Sequence, residues 1–388
     1  MTFSKRAQAI SGLGGDKWAL HFAAKEKIES GQDIISLSIG EPELLPPPML
    51  GEVAKSAIDA GRVGYTNGPG ELALRKILAD KYTERAQRLI STDQVLITAG
   101  TQNALYLTFQ TLVGPGDEVL VTDPLYATYE GVIRATGAEP VSIYLRPEMN
   151  FHLQVDDIKR KITSKTKALL LNSPQNPTGA VLTEKELNKI GDLAKANNFW
   201  IVSDEVYEEL VFPGSKFASA FDNSDFADRT VALSSISKSH AAAGYRAGWL
   251  VASKEFCAAA LPILETDIFG TPPFIQDAAA AVLEKGPSAL APTMRANYAR
   301  RAKMVFDELD GFGNLKVTRP EAGMFVLIDA RISGQTSTEF GRKLLEEAGV
   351  AVMPGSSFGK ALDGFVRVSL TVDDDVLVRA LSQIKKVI

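Results

Sequence analysis

The chain has 388 residues, enough for two domains with sizeable cores, and its 45% hydrophobic and 23% charged content is that of an ordinary globular protein. A net charge of −5 gives no electrostatic basis for binding nucleic acid or an anionic membrane. With Cys257 as the only cysteine and only His21, His152 and His240 beside it, the sequence rules out an internal disulfide and argues against a cysteine- or histidine-rich metal site.

The opening run Met-Thr-Phe-Ser-Lys-Arg has no apolar core behind it, and no stretch of about 18 apolar residues follows, so a cytoplasmic protein is expected. A first amphipathic helix is predicted over 17–29 and a short strand over 33–40, ending at Gly40. Pro46-Pro47-Pro48 breaks the chain before a helix over 49–60. The loop Tyr65-Thr-Asn-Gly-Pro-Gly70 precedes a helix over 71–82. Its Gly68-x-Gly70-x-x-Ala73 resembles a dinucleotide fingerprint only superficially, because no strand leads into it.

From Gln94 onward strands and helices alternate. Strands are predicted over 94–98, 118–122, 140–145, 168–171, 200–203, 230–233 and 249–252, with helices over 101–113, 128–136, 156–162 and 184–197. That rhythm calls for a largely parallel sheet with helices on both faces, where ligands sit beyond the carboxyl ends of the strands. Four polar clusters directly follow strands: Gly100-Thr101-Gln102, Asn172 to Asn176, Asp204-Glu205-Val-Tyr207, and Ser234 to Trp249. After Lys285 the rhythm changes: a long helix over 288–309, strands over 315–318, 324–329, 350–353 and 365–369, a helix over 338–348 and a terminal helix from Asp373 make a smaller α+β unit.

The last of the four clusters, Ser-Ser-Ile-Ser-Lys-Ser-His-Ala-Ala-Ala-Gly-Tyr-Arg-Ala-Gly-Trp, carries the sharpest signal. A lysine among small and hydroxyl-bearing residues can lose its proton in a dry site and form a Schiff base with an aldehyde. Ser235, Ser237 and Arg246 offer hydroxyls and a fixed cation for an anionic group such as phosphate. The alternative is that Lys238 and Arg246 are solvated charges at a loop rim. Asp204, at the end of a strand, is either a capping residue or a buried carboxylate that needs a cation, such as a protonated pyridine nitrogen. Tyr207 would bring a phenol close to that ring's oxygen. Thr101 opens a helix, as a simple N-cap or as part of a phosphate site at the positive end of the helix dipole. Tyr126 is a core aromatic or a ring that lies on a flat heterocycle. Asn176-Pro-Thr-Gly179 is a turn on either reading. Arg367, between apolar residues in Gly-Phe-Val-Arg-Val-Ser, points outward or presents a rigid fork to a carboxylate.

Taken together, Leu-Ser-Ile-Gly-Glu-Pro, the Tyr65 loop, Ala-Gly-Thr-Gln, Asp-Pro-x-Tyr-x-x-Tyr, Asn-Ser-Pro-x-Asn-Pro-Thr-Gly, Ser-Asp-Glu-Val-Tyr, Ser-x-Ser-Lys with its Gly-x-Arg-x-Gly-Trp, and Phe-Val-Arg-Val-Ser resemble the class I/II aminotransferases that depend on pyridoxal 5'-phosphate. The resemblance runs from about Ile34 to Leu370. It implies the aspartate-aminotransferase fold (fold type I), an α/β fold with a large domain built on a mostly parallel seven-stranded sheet flanked by helices, plus a smaller α+β domain. The implied division is an N-terminal arm over 1–47, a large cofactor-binding domain over 48–285 and a small domain over 286–388.

The same resemblance implies a transaminase working by a ping-pong mechanism through a Lys238 aldimine, with Lys238 shuttling a proton, Asp204 paired with the pyridinium, and Tyr207 and Asn176 bonded to the phenolic oxygen. It puts Tyr126 on the ring and Gly100, Thr101, Ser235, Ser237 and Arg246 around the phosphate, with Gln102 and Asn172 also at the cofactor. Arg367, Gly40, Asn176 and Trp18 would meet the substrate, and Tyr65 would cross the interface of a homodimer.

In look the chain is most similar to arginine–pyruvate aminotransferases, through Ser-Lys-Ser-His-Ala, Phe274 to Ala279 and Asp16-Lys-Trp18. Some aspartate-specific members carry a lysine where Gln102 stands. A basic or neutral amino donor with pyruvate or 2-oxoglutarate as acceptor is therefore expected, and Glu41 or Glu43 is available to meet a cationic side chain. Aspartate aminotransferase, a β-lyase and a decarboxylase of the same fold are the alternatives. A regulator's sensor domain would need a basic DNA-binding module, which the short arm lacks.

Overall fold

In the computed structural model, which describes residues 3–11, 13 and 16–388, a seven-stranded and a four-stranded sheet share a core cluster in which Leu120, Leu169 and Ile201 of the larger join Leu327, Met353 and Phe365 of the smaller. The parts of the expected arm at residues 1, 2, 12, 14 and 15 lie outside the described residues, as does the side chain of Asp16. The chain begins with helices α1 (Lys5–Ile10) and α2 (Ala19–Glu29), strand β1 (Ile35–Ser36), α3 (Pro48–Asp59) and α4 (Leu72–Ala86). Then follow β2 (Val95–Thr98), α5 (Thr101–Leu112), β3 (Glu118–Asp123), α6 (Tyr129–Arg134), β4 (Glu139–Tyr144), α7 (Val155–Lys159), β5 (Thr166–Asn172), α8 (Glu184–Asn197) and β6 (Trp200–Asp204). The large sheet is completed by β7 (Thr230–Ser235), the short helix α9 (Ile236–Ser239) and β8 (Gly248–Val251).

Its seven strands run in the order β2-β8-β7-β6-β5-β3-β4, parallel except for β8, which pairs antiparallel with both neighbours. The near-continuous apolar strands have both faces buried, as a covered parallel sheet requires. Alternation along each strand divides the side chains. Val119, Val121, Leu170, Val202 and Leu233 face α5, α6 and α10 (Lys254–Asp267). Leu120, Leu169, Leu171 and Ile201 face the α8 side, and Val95, Ile97, Ala232 and Trp249 face α3, α4 and α11 (Pro273–Leu283). Cys257, on α10, is buried in the first of these cores.

The second sheet, β12-β13-β10-β9, is antiparallel, with strands β9 (Lys316–Val317), β10 (Phe325–Asp329), β12 (Met353–Pro354) and β13 (Phe365–Ser369). Helices α12 (Ala291–Leu309), α13 (Ser337–Ala348) and α14 (Asp374–Lys385) share its core with β1 and Leu37. The arm is thus sewn into this unit: β1 pairs parallel with β11 (Val350–Ala351), Leu37 N donates to the Ala351 carbonyl, and Ser369 N donates to the Leu37 carbonyl.

Several expectations need correction. The strand expected over 33–40 pairs only at Ile35–Ser36, because beyond it the backbone turns its carbonyls to side chains instead of a neighbouring strand. Helices α1, α10 and α11 were not expected from the sequence; Pro262 lies inside α10, and proline is a helix-breaking signal. Most other elements fall within a few residues of their expected bounds. No helix among the described residues is long and apolar enough to cross a membrane.

Candidate active site

Register brings the chemistry to one level. Asn172 at the end of β5 pairs with Asp204 at the end of β6, which pairs with Leu233 of β7, one turn before Lys238 on α9. These ends, the start of α5 and the edge of the small sheet enclose a cavity of about 290 Å³. Of the residues singled out in the sequence, Trp18, Gly40, Thr101, Gln102, Tyr126, Asn172, Asn176, Asp204, Tyr207, Ser235, Ser237, Lys238, Arg246 and Arg367 line it. Two do not. Gly100 lies behind the wall, and Tyr65 is 92% exposed, packed edge-on against Phe269.

Lys238 Nζ donates to the Gly40 carbonyl at 2.7 Å. Burial, reinforced by the nearby Arg367 and Arg246, lowers its pKa to about 8, against the opposing pull of Glu41 and Asp204. Asp204 is buried, and desolvation raises its pKa to about 6 although Tyr129, the Val206 amide and Lys238 all favour its charged form. Tyr129 O–H donates to Asp204 Oδ2 at 2.7 Å and Val206 N to Oδ1 at 3.2 Å. Asn172 is held at both ends of its amide: its Nδ2 donates to the Asp204 carbonyl at 3.1 Å and its Oδ1 accepts from Asn176 N at 2.8 Å.

Arg367, only 2% exposed, is clamped between the rings of Phe325 and Phe358, 3.8 and 4.5 Å from its guanidinium carbon. It donates to Asn176 Oδ1 at 3.0 Å and to the Ser38 carbonyl at 2.7 Å, both neutral acceptors, and it forms no ion pair among the described residues. Asn176 Nδ2 in turn donates to the Tyr207 hydroxyl at 3.3 Å. A side chain at Gly40 would put its Cβ 2.0 Å from Phe325, so the Phe325 clamp on Arg367 requires a glycine there.

At the other end of the cavity, Arg246 donates to the Ala99 carbonyl at 3.0 Å and the Ala243 carbonyl at 2.8 Å, which swings its guanidinium over the start of α5. Gly100 has φ +81°, and a Cβ there would lie 2.4 Å from Arg246 Nη2; glycine is what lets the guanidinium approach. Beside it Thr101 Oγ1 is buried without a hydrogen-bond partner. The Arg246 cation, an orphaned hydroxyl and the amides at the start of a twelve-residue helix make a cup for an anion.

The sequence reading missed Tyr129, whose only signal was the second tyrosine of Asp-Pro-x-Tyr-x-x-Tyr, and Ser38, whose only signal was its place in Leu-Ser-Ile-Gly-Glu-Pro; it also missed Phe325 and Phe358, which carry no motif of their own. The expected role of Glu43 is corrected: Arg301 and the Tyr298 hydroxyl hold its carboxylate, at 2.5 and 2.9 Å, so it is committed within the fold. Glu41 lines the cavity.

The sequence model of the family described as "Aminotransferase class I and II" matches residues 32–384. The chain is 38% identical over 384 residues to arginine–pyruvate transaminase AruH of Pseudomonas aeruginosa, covering 99% of this chain and 97% of that protein. It is 35% identical over 361 residues to aromatic-amino-acid aminotransferase 2 of Thermococcus litoralis, covering 92% of each. Among solved structures, aspartate aminotransferase from Thermus thermophilus with maleate superimposes with a TM-score of 0.94 at 31% identity over 100% of both chains.

Proposed function

The chain belongs to the class I and II aminotransferases, and from that membership we propose that it moves the amino group of a basic or neutral L-amino acid to pyruvate or 2-oxoglutarate, the two substrates taking turns in one cavity. One observation carries the reading: the cavity wall holds three cations, Lys238, Arg246 and Arg367, yet only one deeply buried carboxylate, Asp204. Arg367, the buried one of the three, meets only neutral acceptors, and a buried cation left so is costly unless an anionic ligand meets it. Two anions at opposite ends, a phosphate and an α-carboxylate, would balance the site.

Class I and II aminotransferases depend on pyridoxal 5'-phosphate, and the residues present fit that group. The cup of Gly100, Thr101, Ser235, Ser237 and Arg246 would take its phosphate, with Gln102 and Asn172 at the edge and Tyr126 along the ring. Asp204 would keep a proton on the ring nitrogen, and Tyr207 and Asn176 would bond the ring oxygen. Bound there, the coenzyme supplies an electron sink for the donor's α-carbon. The chain supplies placement and proton transfer. Lys238 Nζ, with its pKa near 8, takes a proton from the α-carbon and returns it close to neutral pH. Arg367 grips the α-carboxylate through the N–H groups that Asn176 and Ser38 leave free, and Trp18 and Gly40 form the adjoining wall.

Three features favour a basic or neutral donor: the likeness to the Pseudomonas transaminase, a neutral Gln102 that accepts from the Thr128 hydroxyl, and the Glu41 carboxylate at the cavity. We also retain the division into an arm over 1–47, a cofactor-binding domain over 48–285 and a small domain over 286–388. Two cores built only of residues between 50 and 283 support it. A panel of amino donors assayed with each oxo acid tests the function. Arginine and neutral amino acids should outrun aspartate by about tenfold or more; faster turnover of aspartate rejects the donor class. Ammonia released without any oxo acid rejects amino transfer itself.

A further inference from the structure

We propose that His21 is a positioning residue for the carboxylate end of the site: its imidazole fixes Ser38 so that the Ser38 carbonyl holds the Arg367 guanidinium in its working orientation. The inference rests on Arg367 being the carboxylate grip of the aminotransferase reading.

The argument starts at Arg367. Its ring clamp restrains the plane of the guanidinium, but rotation within that plane is set by its two acceptors, Asn176 Oδ1 and the Ser38 carbonyl. The Ser38 contact is the shorter, 2.7 against 3.0 Å. Asn176 also donates to Tyr207, so its amide answers to the large sheet. Ser38 answers to the arm. Its neighbour Leu37 is tied on both sides by backbone bonds to Ala351 and Ser369, which leaves the Ser38–Ile39 peptide as the first one free to swivel.

What restrains that peptide is the Ser38 side chain. It is fully buried, and its hydroxyl meets His21 Nδ1 at 2.9 Å and the Ser36 hydroxyl at 3.0 Å. A buried hydroxyl with two partners is a fixed point, whereas one with a single serine partner can rotate away. Burial, with Lys25 adding to it, keeps the His21 pKa below the ordinary value, so the ring at neutral pH is an uncharged partner and brings no competing cation. His21 also meets Trp18 edge-on, with centroids 6.4 Å apart, and Trp18 is a wall of the cavity. One side chain of α2 therefore braces both the carboxylate acceptor and the adjoining wall, without itself lining the cavity. A residue that only stabilised the arm would have no reason to meet both.

The test compares the holoenzyme with His21→Ala and His21→Asn, the latter keeping a short polar group for Ser38. Propionate, a carboxylate with no amino group to react, is titrated calorimetrically alongside steady-state kinetics and coenzyme affinity. His21→Ala should weaken propionate binding about five- to tenfold and raise KM for the amino acid and the oxo acid by a similar factor. Meanwhile kcat and the coenzyme dissociation constant should stay within about twofold, and His21→Asn should recover much of the loss. Unchanged propionate binding in His21→Ala overturns the proposal. So does a loss shared equally by coenzyme affinity and kcat, or an asparagine variant as defective as alanine. If the wild-type protein transaminates no donor, the functional reading fails by itself; propionate binding that is absent from the wild type, or indifferent to His21, removes this inference separately.

Discussion

The Tyr129 hydroxyl and the Lys238 amine show how single groups set the operating pH of the site. At a pKa near 8, about one Lys238 in ten is uncharged at pH 7, against about one in three thousand for an ordinary lysine. Replacing it by alanine should abolish amino transfer, seen as a fall of about a thousandfold or more in kcat, together with loss of the protein's coenzyme absorbance band. Asp204 lies on the other side of the balance. Its carboxyl is held near 6 by burial, and Tyr129 supports the charged form that a ring cation needs. Coenzyme affinity should therefore fall as pH drops through about 6. In Tyr129→Phe the fall should begin about one unit higher, because a hydrogen bond to a charged group is worth about 1.5–3 kcal/mol. Fluorescence titration of the coenzyme-free protein between pH 5 and 8 measures this directly; an unmoved midpoint would mean the phenol does not support the carboxylate. Lys238, Asp204 and Arg367 were legible in the sequence because each is a charge in an apolar or small-residue setting. Tyr129 and Ser38 were not, since what they do depends on partners 75 and 329 residues away.

At the scale of elements, the loop that follows β5 is pinned from outside as well as from within. His152 stands between Glu186 at the start of α8 and Glu321 ahead of β10, at 3.3 and 3.1 Å, and Glu321 also accepts from Val181 N at 2.9 Å. The two carboxylates raise His152 to about 10, while the histidine and the Thr183 cap draw Glu186 down to about 2. A histidine raised on folding contributes stability in full below its unfolded value, about 6.5, and loses it as pH climbs through the folded value. His152→Gln should thus cost about 1–2 kcal/mol at pH 6, allowing for partial solvent screening, and the gap should close by about pH 10. Urea denaturation across that range checks it; a constant gap would assign the loss to packing. The strand–helix rhythm of this half was readable because period-two and period-3.6 patterns are local. Helices α10 and α11 escaped because alanine-rich stretches carry little polar contrast and Pro262 mimics a break.

The whole molecule carries its polar and apolar surface unevenly. Tyr65 is almost wholly exposed beside a half-exposed Phe269, and Leu72 and Val63 nearby in sequence are also exposed. Large apolar groups bared together mark an interface. We propose that a second copy covers them and that Tyr65 reaches the partner's phosphate cup. Light scattering should then return about twice the 41.8 kDa of one chain, and Tyr65→Ala should weaken coenzyme binding in the dimer. A stable monomer that retains full activity would refute it. The change of rhythm after Lys285 was readable in the sequence; the pairing of the first strand with the last ones was not, because it depends on contacts between opposite ends of the chain.

Those contacts have a consequence for biosynthesis. The Gly40 carbonyl waits for an amine 198 residues downstream, and the Ser38 carbonyl for a guanidinium 329 residues downstream. A polypeptide still lacking its last strand leaves the Ser38 carbonyl without its guanidinium, so this end of the cavity is completed only when that strand has been made.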